Sequence, residues 1–186
     1  MGVFTELSDA DRILIASAYG MKGLTSVIGI ANGNTETTYL FRTAEGEFIV
    51  TLFENGAEPL DLEQAFETMD NLYAHGVPCP RPRRTLEGYA TCCAADHLVA
   101  VVDFLPGSPV KSANIERCEG LGRVMAQIHS ALARKAKRKV SRLPSGLIHG
   151  ALFQTIFFSL ATKSEELSIS GCATRITWFG DCRGFG

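Results

Sequence analysis

The stretch LIHGALFQTIFF, Leu147 to Phe158, has the outline of a loop that brings a hydroxyl to a phosphate. A His follows one apolar run, a small residue follows the His, and a second apolar run stands behind. Phosphoryl transfer needs a carboxylate to orient the attacking hydroxyl and take its proton, and oxygen ligands for the magnesium that neutralises the phosphates. Neither is supplied here, because the stretch contains no Asp, Glu or Asn. It reads either as a site without its reactive groups or as a buried hairpin.

Other residues with chemical potential are fewer. The turn ANGNTE, 31–36, offers Asn32-Gly33, whose positive φ suits a tight strand connection. The six cysteines, Cys79, Cys92, Cys93, Cys118, Cys172 and Cys182, form no C-x-x-C pair and have no His at ligand spacing, so they read as free thiols with no metal site. If Cys92 and Cys93 lie in a strand, they point to opposite faces. Arg134, Lys135, Lys137, Arg138, Lys139 and Arg142 crowd together without interleaved aromatics, the pattern of a solvated linker or helix end rather than a nucleic-acid grip.

With 186 residues, 46% of them hydrophobic, the chain can bury a core of one domain or two small lobes. A formal charge of −2 gives no bulk attraction to nucleic acid or anionic lipid. The start, Met1 to Glu6, has no basic and apolar signal pattern, and Glu6 breaks the myristoylation motif. The most apolar run, Leu98 to Val102, is too short to cross a bilayer. These features predict a cytoplasmic protein with neither nucleic-acid nor membrane partners.

The elements that must position these residues follow from period and punctuation. Ser8 with Asp11 three residues on forms a capping-box pattern that opens a helix, and Gly20 closes it. Leu24 to Ile30 and Thr37 to Arg42 predict a hairpin. Glu47 to Phe53 alternates polar and apolar, which predicts a strand with one buried and one exposed face. A helix from Pro59 carries the stripe Leu62, Phe66, Met69 and Tyr73 and stops at Gly76 and Pro78. Two strands are expected at about Thr85 to Cys93 and His97 to Leu105. After Pro106-Gly107, a long helix with the stripe Ile115, Cys118, Leu121, Met125, Ile128 and Leu132 begins near Ser112.

Three strands, a helix, two strands and a break predict an α+β fold, an antiparallel sheet crossed by one helix. In this order VFTELSDAD, GIANGNTETTYLFRTAEGEFIVTLFE, LYAHGVPCPRP, VVDFLPG, CEGLGRVMAQIH and LPSGLIHGALF resemble homoserine kinases of the aminoglycoside-phosphotransferase-like type. The resemblance implies a protein-kinase-like N-lobe with its N-terminal helix over 1–106. Over 107–186 it implies a hinge, a helix and a shortened helical C-lobe with a catalytic-loop-like hairpin. It also implies ATP, magnesium and homoserine as ligands.

Residue by residue, the resemblance places Gly29, Gly33 and Thr37 in a hairpin over the ATP phosphates. Thr51 stands where protein kinases carry a Lys, and these homoserine kinases also tend to have Thr there. The backbone of Val102, Asp103 and Phe104 would meet adenine, and Glu63 or Glu67 could face the cleft. In the family's loop a His and a small residue precede the catalytic Asp, and Asn follows five residues later. Here the frame reads His149, Gly150, Ala151 and Ile156, which leaves His149 to support the loop. At the place of a later magnesium-binding Asp stands Thr174.

The chain thus resembles a truncated homoserine kinase with an altered catalytic loop, impaired in transfer. Two other readings remain open: a non-catalytic nucleotide-binding module, self-associating or binding a partner through surface left by the missing C-lobe, and a kinase for another small alcohol or an aminoglycoside.

Overall fold

Antiparallel pairing joins all six strands that the structure describes into one sheet. This computed structural model describes residues 5–30, 36–107 and 114–133. Along the chain run α1 (Asp9–Ala18), β1 (Ser26–Ile30), β2 (Thr37–Thr43), β3 (Gly46–Leu52), α2 (Pro59–Ala74), β4 (Pro82–Arg83), β5 (Thr91–Ala94), β6 (His97–Asp103) and α3 (Ile115–Ala133). The sheet order is β1-β2-β3-β6-β4, and β5 also pairs with β6.

The register sorts the side chains into two faces, since directly opposed residues point the same way and successive ones alternate. One face carries Tyr39, Phe41, Phe48, Val50, Leu52, Val99 and Val101, and packs with Leu7 and with Ile15 of α1. The other carries Ile49, Ala100 and Val102 against Leu62 and Phe66 of α2. The polar-apolar alternation of Glu47 to Phe53 predicts one exposed face for β3, and the structure corrects this. Residues 48–53 are all buried, because α1 covers one side and α2 the other. Complete burial of a side chain such as Phe41 or Phe66 contributes about 1.5–3 kcal/mol.

Several expected boundaries also move. The strand expected at Thr85 begins only at Thr91, because residues 85–89 form a turn in which the Gly88 N–H donates to Thr85 O at 2.9 Å and the Thr85 N–H to Tyr89 O at 2.8 Å. The short β4 at Pro82–Arg83 had no periodic signal in only two residues. Ala95 and Asp96 take φ of 49° and 63° to join β5 to β6, a turn usually built on Asn-Gly.

Both helical stripes are narrower than the apolar spacing suggests. Tyr73 is 51% exposed beneath the Arg81 guanidinium, while Leu72 is buried. On α3 the buried seam is Val124, Ala131 and Leu132, with Ile128 packed against it, and Ile115 is 79% exposed. This helix packs on Leu72 and Val77 at the end of α2, so its first turn has no apolar partner there.

Before α1, the chain is tied to the sheet by hydroxyl groups. The Tyr39 hydroxyl donates to Thr5 O at 2.7 Å and accepts the Leu7 N–H at 3.2 Å. The Thr5 N–H donates to Thr37 Oγ1 at 3.1 Å, the Thr5 hydroxyl to Glu54 at 2.9 Å, and the Thr37 hydroxyl to the other Glu54 oxygen. His97 Nε2 lies 3.4 Å from the same carboxylate. The expected capping box closes α1 reciprocally between Ser8 and Asp11, and Asp11 also accepts the Ala95 N–H at 3.2 Å, joining the helix start to the β5–β6 turn.

Burial alone would raise the Glu54 carboxyl, but hydrogen bonds from Thr37 and Thr5 and the nearby His97 outweigh it and hold Glu54 below its ordinary 4.5. Glu36, which accepts the Glu54 N–H at 2.7 Å, moves the other way, mainly through burial.

Two measurements test this attachment. Tyr39→Phe leaves the Thr5 carbonyl and Leu7 amide without their shared partner, and urea unfolding should show a loss of about 1–3 kcal/mol with an unchanged m-value. A depressed carboxylate contributes stability above its unfolded pKa and loses it as pH falls through the folded pKa. The Tm difference between wild type and Glu54→Gln should therefore be largest near pH 7 and shrink as pH falls below 4.5. A difference independent of pH would remove the charge from the account. The comparison uses one substitution because Glu36 contributes with the opposite sign.

Candidate functional site

The α2 side of the sheet changes character along the strands. One rung is apolar, Ile28–Leu40–Ile49–Val102–Pro82, with Ile28 and Leu40 incompletely covered. The next rung is Ile30–Thr38–Thr51–Ala100–Thr91 and brings threonines into the same face. Ile30↔Thr38 is the last β1–β2 pair before the 31–36 connection, whereas β6 leaves the sheet at the opposite end through Asp103 and Phe104. From the Thr51 rung to Glu47, beside Phe104, is four residues, about 13 Å of strand rise. The face is thus apolar toward the β6 exit and hydroxylated toward the 31–36 connection.

The register separates two neighbouring threonines. Thr37 pairs with Leu52 on the α1 side, where its hydroxyl is held by Thr5 and Glu54; Thr38 pairs with Thr51 on the α2 side. Thr37 and Thr51 therefore do not share a site. Gly29 opposes Tyr39 on the last rung but one of the hairpin. Gly33 lies outside the described residues, as do His149, Ala151, Ile156, Thr174 and the basic run from Arg134 to Arg142.

At the β6 exit the backbone is already engaged. The Asp103 N–H donates to Arg81 O at 2.9 Å and the Phe104 N–H to Glu47 O at 3.0 Å, while Val102 pairs with Ile49 and Pro82. An adenine edge cannot take those two N–H groups without opening the sheet. The side chain of Asp103 points to the α1 side and accepts from Arg83 Nε at 2.5 Å. Val102 and Phe104 both pack on the α2 side.

The Glu63 carboxylate of α2 is engaged by the segment that leads into β5. Glu63 accepts the Ala90 N–H at 2.5 Å and Arg84 at 2.7 Å, and Arg84 also reaches Asp70 at 3.4 Å. Burial pushes the Glu63 carboxyl up, but Ala90 and Arg84 more than offset it and the group stays below its usual range. Glu63 fastens α2 to the segment entering β5, and Glu67 is exposed. Sequence reasoning did not find this Glu63–Arg84–Asp70 cluster, whose members are separated by up to 21 residues. Thr38 was also missed, although strict alternation from Leu40 places it on the site's face.

A nucleotide base fits this face on one count, the incompletely covered apolar rung at Ile28 and Leu40; next to it the Thr38 hydroxyl is fully buried and has no hydrogen-bond partner among the described residues. Magnesium does not fit the residues given. Ala151, Ile156 and Thr174, which the resemblance aligns with acidic and amide groups, carry no carboxylate, and the described residues bring no three His, Cys, Asp or Glu side chains together for a metal. The four described cysteines form no disulfide with one another, and burial pushes the Cys92 thiol up to about 11. No helix among the described residues is long and apolar enough to cross a membrane.

Residues 26–154 match the sequence pattern of the phosphotransferase enzyme family. Homoserine kinase of Methylobacterium radiotolerans is 38% identical over 131 residues, which cover 70% of this chain and 41% of that protein. Homoserine kinase of Xanthobacter autotrophicus is 36% identical over 143 residues, 77% of this chain and 44% of the relative. That of Granulibacter bethesdensis is 32% identical over 147 residues, 78% and 46%. The matches therefore span less than half the length of each relative. Spectinomycin phosphotransferase, solved with ADP and spectinomycin, superimposes with a TM-score of 0.54 at 15% identity over 73% of this chain and 43% of that one. The α+β kinase-like N-lobe is thus the observed fold, and the chain belongs to the phosphotransferase enzyme family.

Proposed function

We propose that this chain supplies the nucleotide-binding lobe of a cytoplasmic homoserine-kinase-like phosphotransferase, taking ATP as donor and the hydroxyl of homoserine as acceptor in threonine biosynthesis. The reading is supported chiefly by the graded α2 face, an apolar rung beside a threonine rung. The homoserine kinases that share its sequence add the acceptor.

In this reading Ile28 and Leu40, the uncovered part of the apolar rung, receive the base, and the Thr51 end of the face lies toward the phosphates. Transfer would break the bond between the γ-phosphorus and the bridging oxygen of ADP, form a bond to the homoserine oxygen, and leave the hydroxyl proton to an acceptor. Ala151 offers no acceptor where the family carries a carboxylate. Loss of a general base typically costs about 10²–10⁴ in rate. No step is assigned to magnesium, for which Ala151, Ile156 and Thr174 provide no carboxylate. The chain binds nucleotide and turns it over poorly.

Thermal melting of the purified chain with magnesium-ATP tests the binding half. At about a hundred times the dissociation constant a ligand stabilises by roughly 2.7 kcal/mol, a visible rise in Tm. A cooperative transition that ATP leaves in place would overturn the nucleotide reading. The catalytic half is tested by Ala151→Asp combined with Ile156→Asn, which should raise homoserine-dependent ADP formation above the wild-type rate. An unchanged rate in a folded, ATP-binding variant would show that these two positions do not set the deficit.

A further inference from the structure

We propose that the chain pairs with a second copy of itself through the outer face of α1, the two helices antiparallel about a twofold axis. This helix is apolar on both sides. Its inner side buries Ile15 and Ala16, whereas Ala10, Ile13, Leu14 and Ser17 face solvent. Ile13 is 64% exposed and Leu14 47%. An isolated exposed Leu is ordinary, but positions i, i+3, i+4 and i+7 make one continuous helical stripe, and this one contains no charge. A helix that only had to cover the sheet would carry polar groups there.

The stripe itself indicates the partner. Read from either end, it runs small, large, large, small at the same spacing. Two antiparallel copies therefore set Ile13 against the partner's Leu14 and Ala10 against the partner's Ser17, where small side chains let the backbones approach. Charge selects the same orientation. Glu6 and Asp9 make the N-terminal end of α1 acidic, and the exposed Lys22 follows its C-terminal end. Antiparallel pairing brings each acidic end to the partner's Lys22, whereas parallel pairing would set acid against acid. Leu86, 77% exposed, extends the apolar surface past the helix, since its N–H donates to Ala18 O at 2.8 Å and its side chain lies against Gly20. Such a patch is small, so the dimer is weak and reversible. Because α1 and α2 cover opposite faces of the sheet, the pairing leaves the candidate site uncovered.

Sedimentation equilibrium of the full chain, at concentrations on the order of 1 to 200 μM, should show a monomer–dimer equilibrium in the wild type. Ile13→Glu and Leu14→Glu should each raise its dissociation constant about a hundredfold, because the twofold axis counts every substitution twice. Both side chains are exposed, so the Tm should stay level. Ile115→Glu, at the exposed start of α3, should leave the equilibrium as it is. A wild type that stays monomeric throughout would overturn the proposal. So would a dimer that both α1 variants retain, or one that Ile115→Glu abolishes. Should a Glu variant lose its cooperative melt, the milder Ile13→Ser combined with Leu14→Gln takes its place under the same criterion.

Discussion

Burial of β3 on both faces is the constraint from which the rest of the structure follows. Phe48, Val50 and Leu52 face α1, while Ile49 and Thr51 face the α2 side. A slip of one residue would exchange the two sets and put Phe48 and Val50 against the α2 side. The register of β2 and β6 is therefore fixed by packing from both sides. Fixed register in turn gives Thr37 and Thr38, adjacent in sequence, two unrelated jobs. One secures the segment ahead of α1, and the other enters the face that carries the candidate site.

Two carboxylates then hold the covering layers, each by bonds to groups distant in sequence. Glu54 gathers Thr5, Thr37 and His97 on the α1 side, and Glu63 gathers Ala90 and Arg84 beneath α2. In both, burial works against the charge and hydrogen bonding prevails. A half-buried carboxylate held by backbone and side-chain donors is worth more than the exposed Arg12–Asp9 and Arg42–Glu47 pairs, whose attraction solvent screens.

Much of this was legible in the residues. The capping box at Ser8 and Asp11, the hairpin across 31–36, the Pro59 helix and the strand from His97 all lie where period and punctuation placed them. Single-sided burial was wrong for β3, because Glu47 and Thr51 look polar in sequence while only tertiary packing shows that a second helix covers that side. β4 was invisible because its two residues pair only by virtue of where β6 lies. The resemblance put adenine against the backbone of 102–104, where the N–H groups of Asp103 and Phe104 donate to Arg81 and Glu47. The Glu63 cluster depends on contacts across the fold that no local pattern records.

The split edge of the sheet has a consequence of its own. β6 is flanked on its outer side by two short strands in succession, β5 along 97–100 and β4 along 101–102. Neither is long enough to template another chain, and β4 opens with Pro82, which has no N–H to offer an incoming strand. Open strand edges are where sheets recruit neighbours and grow into aggregates. Here brevity and one proline limit that side, so strand addition at this margin of the sheet is disfavoured by the same short segments that bring the chain round to β6.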